Sequence, residues 1–489
     1  MRERLLMLVV LVISGCGGGP SAVPDTLDAA AAQPDAPEVV CNDADIATTL
    51  VQIAGVSNLA EVECNAPARC FTATFAQPVH HDTPGDVQLQ QRLSVIHRGC
   101  DRPTVMVDSG YARSISSYDG EITKGWGTNV IALEHRYQGE SSPATWDWNG
   151  LSISNGANDM HRVVSAFRPL YKRNWLTTGA SKGGITAIYH RRTFPEDVDG
   201  TVAYVAPASR ARIDAAYQQH MAEALPAACA SGIVDFQIAA LTTRRAMMTT
   251  RLAAIAGEAD ADWYLEAYLE HFDWGFWQRV GVNACAQVPT ASSSDDEFWS
   301  FFAFVNQLDV AAVAAADPPE EYRDIAGLWY EWLTEQGFAL QVNPAIVPYF
   351  LYPKTTMEDD FRALFPDAPL PAFDPTSTLQ TRAYVENAAE NLLLIYGQYD
   401  PWSGGAFAAP MKPSSSIHWV PNATHGAVAS RLPSDERDQV LFRISELLGD
   451  TGRSGAQKPA FAPAQTPQFE HDPWNAVLEL KLAAHRARQ

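Results

Sequence analysis

The sequence has too few basic residues for a protein that binds nucleic acid. Its 35 lysines and arginines stand against 57 acidic residues, which gives a net charge of −22 at pH 7. Proteins that bind nucleic acid need a basic surface that displaces counterions, so this balance excludes that class. Charged residues make up 19% of the 489 residues and hydrophobic residues 46%, which is typical of folded globular proteins rather than disordered ones. The length suggests one large domain with an insertion, or two to three domains.

Long hydrophobic runs and metal-binding spacings are also missing. The apolar run from Leu5 to Ile13 has nine residues, whereas a transmembrane helix needs about 20. The sequence contains no CxxC or HExxH spacing, so we expect no metal site and no cofactor. No internal repeat is evident.

The N-terminus instead has the pattern of a secretory signal. Arg2 and Arg4 precede the apolar run, and Ser14-Gly15-Cys16 follows it, which resembles a bacterial lipobox. We therefore expect residues 1–15 to be a lipoprotein signal peptide, Cys16 to carry the lipid, and residues 16–40 to be a disordered tether. The alternative is an ordinary signal peptide cleaved nearby. The expected location is the membrane surface of an exported lipoprotein, periplasmic or at the cell surface.

Six further cysteines support export. An even number of cysteines in an exported chain suggests up to three disulfides. Cys229 and Cys285 lie together in a later segment, and we expect them to pair. The remaining four can pair in three ways that the sequence leaves open: Cys41, Cys64, Cys70 and Cys100.

Six short apolar runs alternate with segments long enough to form helices. These runs are residues 104–107, 129–133, 175–178, 201–205, 392–396 and 417–420. Parallel strands covered on both faces are apolar throughout, so the pattern predicts a doubly wound, mostly parallel α/β sheet. Two earlier strands are predicted at residues 71–75 and 89–97, and a late helix is predicted with Ser434 as its N-cap, ending by Gly449.

Between about residues 211 and 380 the periodicity becomes helical. Leu265, Tyr268, Leu269 and Phe272, for example, have the i, i+3, i+4, i+7 spacing of an amphipathic helix. The segment holds 24 acidic and 8 basic residues, so it carries 16 of the 22 excess negative charges. We predict a sheet domain in two parts, residues 41–210 and 381–450, with a helical cap inserted between them at residues 211–380. A C-terminal tail follows at residues 451–489.

The sequence Gly179-Ala180-Ser181-Lys182-Gly183 matches Gly-x-Ser-x-Gly between a predicted strand and a predicted helix. That context is typical of the nucleophile elbow of the α/β-hydrolase fold, in which a tight turn raises the serine hydroxyl above the sheet. The pattern predicts that Ser181 is a nucleophile. Other Gly-rich turns with an idle serine share the pattern, so the context decides the interpretation.

A serine nucleophile needs a base and an acid, which follow it in this topology in the order Ser, Asp, His. Asp400 follows the predicted strand 392–396, and His425 follows the next strand, so we predict them as acid and base. The oxyanion of the reaction needs two backbone donors. We predict the Lys182 amide for one, and the amide of Tyr111 or Gly110 for the other.

These residues and their flanking blocks resemble serine peptidase family S37, the secreted bacterial prolyl tripeptidyl aminopeptidases, which are related to the S28 prolyl peptidases. The blocks that carry the resemblance are residues 75–81, 91–97, 133–141, 159–162, 178–184 and 202–207. The resemblance implies a serine exopeptidase that releases short peptides from free N-termini and prefers proline before the scissile bond. The cap has no motif that aligns with the family.

Further candidate residues concern substrate binding. Carboxylates of the acidic cap are candidates for attracting the substrate's α-ammonium, although exposed helices of an acidic protein are acidic without any such role. Glu134 and Glu140 are candidate anchors for an amine, with a Glu134–Arg136 ion pair as the alternative for Glu134. Trp402 is a candidate wall for a proline ring or a core residue. An esterase or lipase with the same triad, and a non-catalytic surface binding protein on a hydrolase scaffold, are the alternative functions.

Overall fold

The computed structural model describes residues 40–83, 85, 87–112, 120–308, 322–339, 342–450, 481 and 483–488. These residues form a nine-stranded sheet. Its strands are β1 (Val56–Val62), β2 (Arg69–Pro78), β3 (Gln88–His97), β4 (Thr104–Asp108), β5 (Asn129–Leu133), β6 (Trp175–Ala180), β7 (Gly200–Tyr204), β8 (Leu392–Gly397) and β9 (Ser416–Val420). The predicted signal peptide, Cys16 and almost all of the predicted tether lie outside the described residues.

The order of the strands is β1-β2-β3-β5-β4-β6-β7-β8-β9. The first three strands pair as antiparallel neighbours, and β3 is also antiparallel to β5. All remaining pairs are parallel, for example Thr178 of β6 opposite Val202 of β7. Because parallel strands end at the same edge, the loops that follow β4, β6 and β8 meet above one end of the sheet.

The central strands are covered on both faces, which explains their continuous apolar sequences. In β4, Val105 and Val107 pack on one face with Ile444, whereas Met106 packs on the other face with Met160. Each of these side chains is at most 1% exposed. The two hydrophobic layers hold the sheet rigid, so the loops at its carboxyl edge have a fixed base.

Helices of the sheet domain flank these layers. They are α1 (Ile46–Leu50), α2 (Glu121–Trp126), α3 (Ile153–Phe167), α4 (Lys182–Thr193) and, near the C-terminus, α14 (Ser434–Leu447). Ser152 caps α3, since its hydroxyl accepts a hydrogen bond of 3.2 Å from the Asn155 amide. The prediction that Ser434 is an N-cap is wrong by one residue. Pro433 occupies that position, and Ser434 already belongs to the first turn.

Between β7 and β8 the described chain is mainly helical, as the periodicity predicts. Its helices are α5 (Ala216–Ala224), α6 (Ala227–Leu241), α7 (Arg245–Ala256), α8 (Ala261–Glu270), α9 (Phe272–Gly275), α10 (Asp295–Asn306), α11 (Tyr322–Glu331), α12 (Met357–Leu364) and α13 (Thr376–Asn387). The π-helical turns Phe276–Val280 and Trp332–Gln336 extend α9 and α11. Among the described helices none is alone long and apolar enough to span a membrane; α5 and α6 reach that length and composition only together, across a bend of 116°.

The predicted apolar faces of these helices form one aromatic core. Leu265 and Phe272 pack in it together with Phe302 and Trp329. The same cluster includes Tyr137 from the sheet domain, so the core of the cap continues into the body beneath it. The prediction of an α/β-hydrolase fold is confirmed by this arrangement of parallel sheet, flanking helices and helical insertion.

Three disulfides link the six cysteines. Cys229 pairs with Cys285, as expected, and joins α6 to the segment that precedes α10. The pairing that the sequence left open is Cys41 with Cys100 and Cys64 with Cys70. Within the described residues one cluster has the compactness of a metal site, Cys41, Asp43 and Cys100, but its two sulfurs are bonded to each other.

Candidate active site

The serine of the Gly-x-Ser-x-Gly sequence lies in a tight turn between β6 and α4. Since β6 ends at Ala180 and α4 begins at Lys182, Ser181 alone makes the turn. Its φ of 56° lies in the left-handed region that residues with a side chain rarely adopt. The Ser181 amide donates a hydrogen bond of 2.9 Å to the carbonyl of Tyr204, which anchors the turn to β7. The strained turn therefore presents the hydroxyl at the carboxyl edge of the sheet.

Two glycines allow the backbone segments around Ser181 to approach closely. A Cβ on Gly179 would lie 2.4 Å from the carbonyl of Gly183, and a Cβ on Gly183 would lie 2.4 Å from the carbonyl oxygen of Asp108. Both clashes would be with backbone, which cannot move aside as a flexible side chain can. The glycines of the sequence pattern are therefore required by the packing of the turn against α4 and the loop after β4.

Asp400 and His425 meet as the sequence order predicts. Asp400 lies directly after β8, and its Oδ2 is 2.7 Å from Nδ1 of His425. Its Oδ1 accepts a hydrogen bond of 3.1 Å from the Trp402 amide, and the carboxylate is fully buried. The His425 amide donates to the carbonyl of Gln278 at 3.1 Å, so a residue of the cap also fixes the histidine. With Nδ1 bonded to the carboxylate, Nε2 is the ring nitrogen available to a serine.

Ser181 and His425 line one small cavity. Aromatic side chains form much of its wall, and they come from the sheet domain and the cap: Tyr111, Tyr217, Trp332 and Trp402. The indole nitrogen of Trp402 donates to the side-chain oxygen of Gln278 at 2.9 Å. Within the part of the chain that the structure describes, no carboxylate lines this cavity. The cavity is therefore suited to a compact apolar group next to the serine.

Tyr111 reaches Ser181 with its side chain. The phenolic oxygen lies 3.1 Å from Ser181 Oγ. The Tyr111 amide points instead to the Ser109 hydroxyl, at 3.3 Å, and the Gly110 amide donates to the Asp108 carboxylate at 2.7 Å. The structure thus gives no support to the prediction that either backbone amide receives the oxyanion, because both already bond to side chains of their own loop. The prediction for the Lys182 amide stays a prediction.

A buried group of charges lies behind the turn. The Lys182 Nζ is 2.9 Å from Oε2 of Glu331, at the end of α11. His135 lies between the carboxylates of Asp108, 3.0 Å from its Nδ1, and Glu331, 3.6 Å from its Nε2. Burial disfavours the charged form of Glu331, but the Lys182 and His135 cations outweigh it and lower its pKa to about 2. Burial and Lys182 disfavour the His135 cation, but the two carboxylates outweigh them and raise its pKa.

The predicted anchors for an amine lie elsewhere. Glu134 is 1% exposed and accepts hydrogen bonds from the amide and the hydroxyl of Ser141, at 3.1 and 2.6 Å. The alternative Glu134–Arg136 ion pair is wrong, because Arg136 bonds through two nitrogens to Asp159 instead. Glu140 is exposed and does not line the cavity. Their role as anchors stays a prediction without support from the structure, whereas Trp402 does lie in the cavity wall.

Sequence reasoning missed the residues that the cap contributes. Gln278, Trp332 and Gln336 line the cavity, and Glu331 contacts Lys182 behind it. The first three lie in or beside π-helical turns, for which the sequence has no simple signal. The available hint for Glu331 was Lys182, directly after the predicted nucleophile. A lysine that is buried at this position requires a partner of opposite charge.

The chain is similar to several known proteins. The family model for PS-10 peptidase S37 matches residues 39–470. A prolyl tri/tetrapeptidyl aminopeptidase from Streptomyces mobaraensis is 31% identical over 460 residues, which cover 91% of this chain and 91% of that protein. A thymus-specific serine protease from Mus musculus is 29% identical over 140 residues, covering 26% of this chain and 27% of that protein. The crystal structure of a proline iminopeptidase from Mycobacterium smegmatis covers 77% of this chain and 98% of its own, at 14% identity and a TM-score of 0.35.

Proposed function

This chain belongs to peptidase family S37, and on that premise we propose that it is a serine aminopeptidase that releases tri- or tetrapeptides ending in proline from free N-termini. The observation that carries the proposal is the meeting of Ser181, Tyr111 and the His425–Asp400 pair around one aromatic cavity. The likeness to an aminopeptidase of that specificity along 91% of both chains supports the choice of substrate.

In the proposed mechanism Ser181 attacks the carbonyl of the proline residue. His425 accepts the hydroxyl proton at Nε2 and passes it to the departing amine, while Asp400 keeps the proton on Nδ1 and stabilises the imidazolium. The product of this first half is a peptidyl ester on Ser181. Water then loses a proton to His425 and attacks the ester. His425 returns the proton to Ser181 Oγ as the peptide acid leaves.

The tetrahedral intermediates carry a negative oxygen that needs donors. We propose the Lys182 amide, at the start of α4, and the phenolic hydroxyl of Tyr111. The hydroxyl lies 3.1 Å from Ser181 Oγ, next to the place where the oxyanion forms. This assignment replaces the backbone amides of Gly110 and Tyr111, whose hydrogens point to Asp108 and Ser109.

The cavity provides the proposed proline subsite. Trp402 and Trp332 are each 8% exposed, so little surface remains between them and the rest of the wall. A proline ring is compact, apolar and without an amide hydrogen, and it therefore fits a small aromatic site that offers few acceptors. A larger side chain would not fit between the walls of the cavity, and a charged one would be buried without a partner.

The free N-terminus lies beyond this cavity in the proposed complex. An extended chain spans about 3.3–3.6 Å per residue, so the α-ammonium of a tripeptide is roughly 10 Å from the scissile carbonyl. Carboxylates that bind it therefore need not line the cavity around Ser181. The acidic composition of the cap supports a negative potential along this path.

The decisive experiment compares an anilide of a proline-terminated tripeptide with the same substrate acetylated at its N-terminus. We expect release of the intact tripeptide. Acetylation should lower kcat/KM by at least about 100-fold, because it removes the charge of the α-ammonium and adds a group that blocks the site for the free N-terminus. Unchanged hydrolysis of the acetylated substrate would refute the aminopeptidase, and preference for short acyl esters would favour the esterase alternative.

The nucleophile is tested separately with a fluorophosphonate probe. The wild-type protein should be labelled and Ser181→Ala should not. Labelling that persists in Ser181→Ala would exclude Ser181 as the nucleophile. Failure of the wild-type protein to be labelled at all would favour the non-catalytic binding protein.

We also propose that the protein is exported and anchored through a lipid on Cys16. The N-terminal sequence pattern supports this, and three disulfides are compatible with an oxidising compartment. Labelled palmitate should be incorporated into the wild-type chain in a bacterial host but not into Cys16→Ser. Incorporation into the variant would refute the assignment.

A further inference from the structure

Four ionisable side chains are buried together behind the nucleophile turn, and each comes from a different part of the chain. They are Asp108 at the end of β4, His135 after β5, Lys182 at the start of α4 and Glu331 at the end of α11. Their side chains are only 1% to 3% exposed. Glu331 is the member that the cap supplies.

The group connects both proposed oxyanion donors. On one side Glu331 contacts Lys182, the residue whose amide follows Ser181, with 2.9 Å between Oε2 and Nζ. On the other side it contacts His135, which bonds to Asp108. Asp108 in turn accepts the hydrogen bond from the Gly110 amide, next to Tyr111. A single carboxylate from the cap thus lies between the two segments that must hold the oxyanion donors in place.

The charges of the group balance only when all four members are present. Two carboxylates face the Lys182 ammonium and the His135 imidazolium, which the carboxylates favour. Without the Glu331 charge, two buried cations would share the Asp108 carboxylate, and one of them would be unpaired. Since an unpaired buried charge is costly, Lys182 or His135 would have to shift or lose its proton, and the attached backbone would move with it.

We propose that Glu331 is a positioning residue that sets the oxyanion site from the cap, by holding Lys182 directly and the Tyr111 loop through His135 and Asp108. The inference rests on the proposed serine peptidase function. It makes the helical cap part of the catalytic apparatus and not only a cover for the substrate. It also gives the side chain of Lys182 a role distinct from that of its amide.

The first test is Glu331→Gln, which keeps the shape and removes the charge. A misplacement of about 1 Å in an active site costs about 100-fold in rate, so we expect kcat to fall between tenfold and 100-fold. KM should change less than threefold, because the donors act on the transition state. Affinity for a proline boronic acid, which forms a tetrahedral adduct with the serine, should fall by the same factor as kcat/KM, while affinity for the peptide product should not.

The matched control is Glu335→Gln, one helical turn further along. Glu335 is half-buried, but its carboxylate accepts a hydrogen bond of 2.7 Å from the Ile153 amide, and within the described part of the chain it forms no ion pair with Lys182 or His135. We expect its kcat to stay within twofold of the wild-type value. An equal loss in both variants would show that any carboxyl group in this turn matters, and would overturn the specific role of Glu331.

A second test uses the charge balance itself. Lys182→Met combined with Glu331→Gln leaves His135 and Asp108 as a neutral pair, whereas each single variant leaves one charge unpaired. In the Lys182→Met background, Glu331→Gln should therefore lower kcat by less than tenfold, because the contact with Lys182 is already gone and only the contact with His135 is lost. This comparison also decides the matter if Glu331→Gln alone does not fold. A fall of tenfold or more from Lys182→Met to the double variant would overturn the proposal.

These rates do not depend on the identity of the natural substrate. If the wild-type protein hydrolyses esters but not peptides, the proposed function fails, while the ratios between variants can still be measured on the ester. If proline peptides are cleaved as proposed but Glu331→Gln keeps full kcat, only the positioning role fails.

Discussion

Replacing Tyr111 by phenylalanine removes a single oxygen atom at the most informative position of the proposed site. That oxygen lies 3.1 Å from Ser181 Oγ, and the ring that carries it packs against the core of the cap. Because Tyr111→Phe keeps the ring, we expect the fold and the cavity wall to be retained. As the substrate carbonyl becomes tetrahedral on Ser181, the missing hydroxyl deprives the oxyanion of one donor.

The expected size of the effect separates two roles for the hydroxyl. Loss of one oxyanion donor costs about 10²–10³ in kcat, or about 2.7–4 kcal/mol. Loss of an ordinary neutral hydrogen bond to the resting serine costs about 0.5–1.5 kcal/mol, which is at most about 12-fold. We expect a fall of about 100-fold in kcat, because the Lys182 amide remains as the other donor.

The assay is the steady-state and pre-steady-state release of anilide from a proline-terminated tripeptide, with active sites counted by a fluorophosphonate. Tyr217→Phe is the matched control. Tyr217 also lines the cavity, but its hydroxyl lies 3.0 Å from the hydroxyl of Ser209 and not beside Ser181. Its loss should lower kcat by no more than the tenfold range of a neutral hydrogen bond. A kcat of Tyr111→Phe above one tenth of the wild-type value, or an equal fall in Tyr217→Phe, would refute the assignment of Tyr111 as an oxyanion donor.

Three further perturbations have outcomes that follow from the structure. Asp400→Asn should lower kcat by about 10⁴ without unfolding the protein, because an amide cannot hold His425 in the required tautomer; hydrolysis rates above 1% of wild type would contradict this. Burial is the main cause that raises the pKa of Glu335 to about 7. Between pH 4.5 and 7 the unfolded state therefore binds fewer protons than the folded state, and the free energy of unfolding falls by about 3 kcal/mol as the pH rises through this range. Glu335→Gln should remove that slope in denaturant titrations from pH 5 to 8, and a slope that persists would exclude Glu335 as its source. Replacing Cys229 and Cys285 by serine opens a loop closed across 56 residues. The free energy of unfolding, measured against the wild-type protein, should fall by about 4 kcal/mol. A fall of less than about 1 kcal/mol would show that the cap does not depend on this bond.

The sheet was largely predictable because burial on both faces imposes one simple pattern on each central strand. The predicted apolar runs coincide with the observed strands β4 to β9, with differences of at most two residues at their ends. β1 was not predicted. Its exposure follows a period of three instead of two, since the register against β2 shifts between Ser57 and Ala60, and Asn58 has a φ of 52°. An edge strand with such an irregularity does not produce the alternation by which strands are recognised.

The proposed triad was predictable for a related reason. Each member lies in the loop that follows a parallel strand, namely β6, β8 or β9, and the carboxyl ends of parallel strands meet at one edge. The positions of Ser181, Asp400 and His425 therefore follow from the order of the strands. For the loop after β4 the sequence pointed to the amide of Tyr111 or Gly110, whereas it is the Tyr111 hydroxyl that lies beside Ser181 and that we propose instead. Sequence reasoning assigned the backbone amide because a turn exposes amides, but it could not foresee that Asp108 and Ser109 bond to the amides of that same turn.

The side chains that the cap contributes to the site could not be predicted in this way. They depend on pairings between distant charges, and the chain has 57 acidic residues from which a partner could come. One physical constraint does narrow the choice. Lys182 is the first residue of α4, where the helix dipole and the lack of water both disfavour a cation. A lysine at that place must therefore meet a carboxylate from another element, and the element above the carboxyl edge of the sheet is the cap. Glu331 meets this requirement, so the residue that follows the nucleophile fixes where the cap must place a charge.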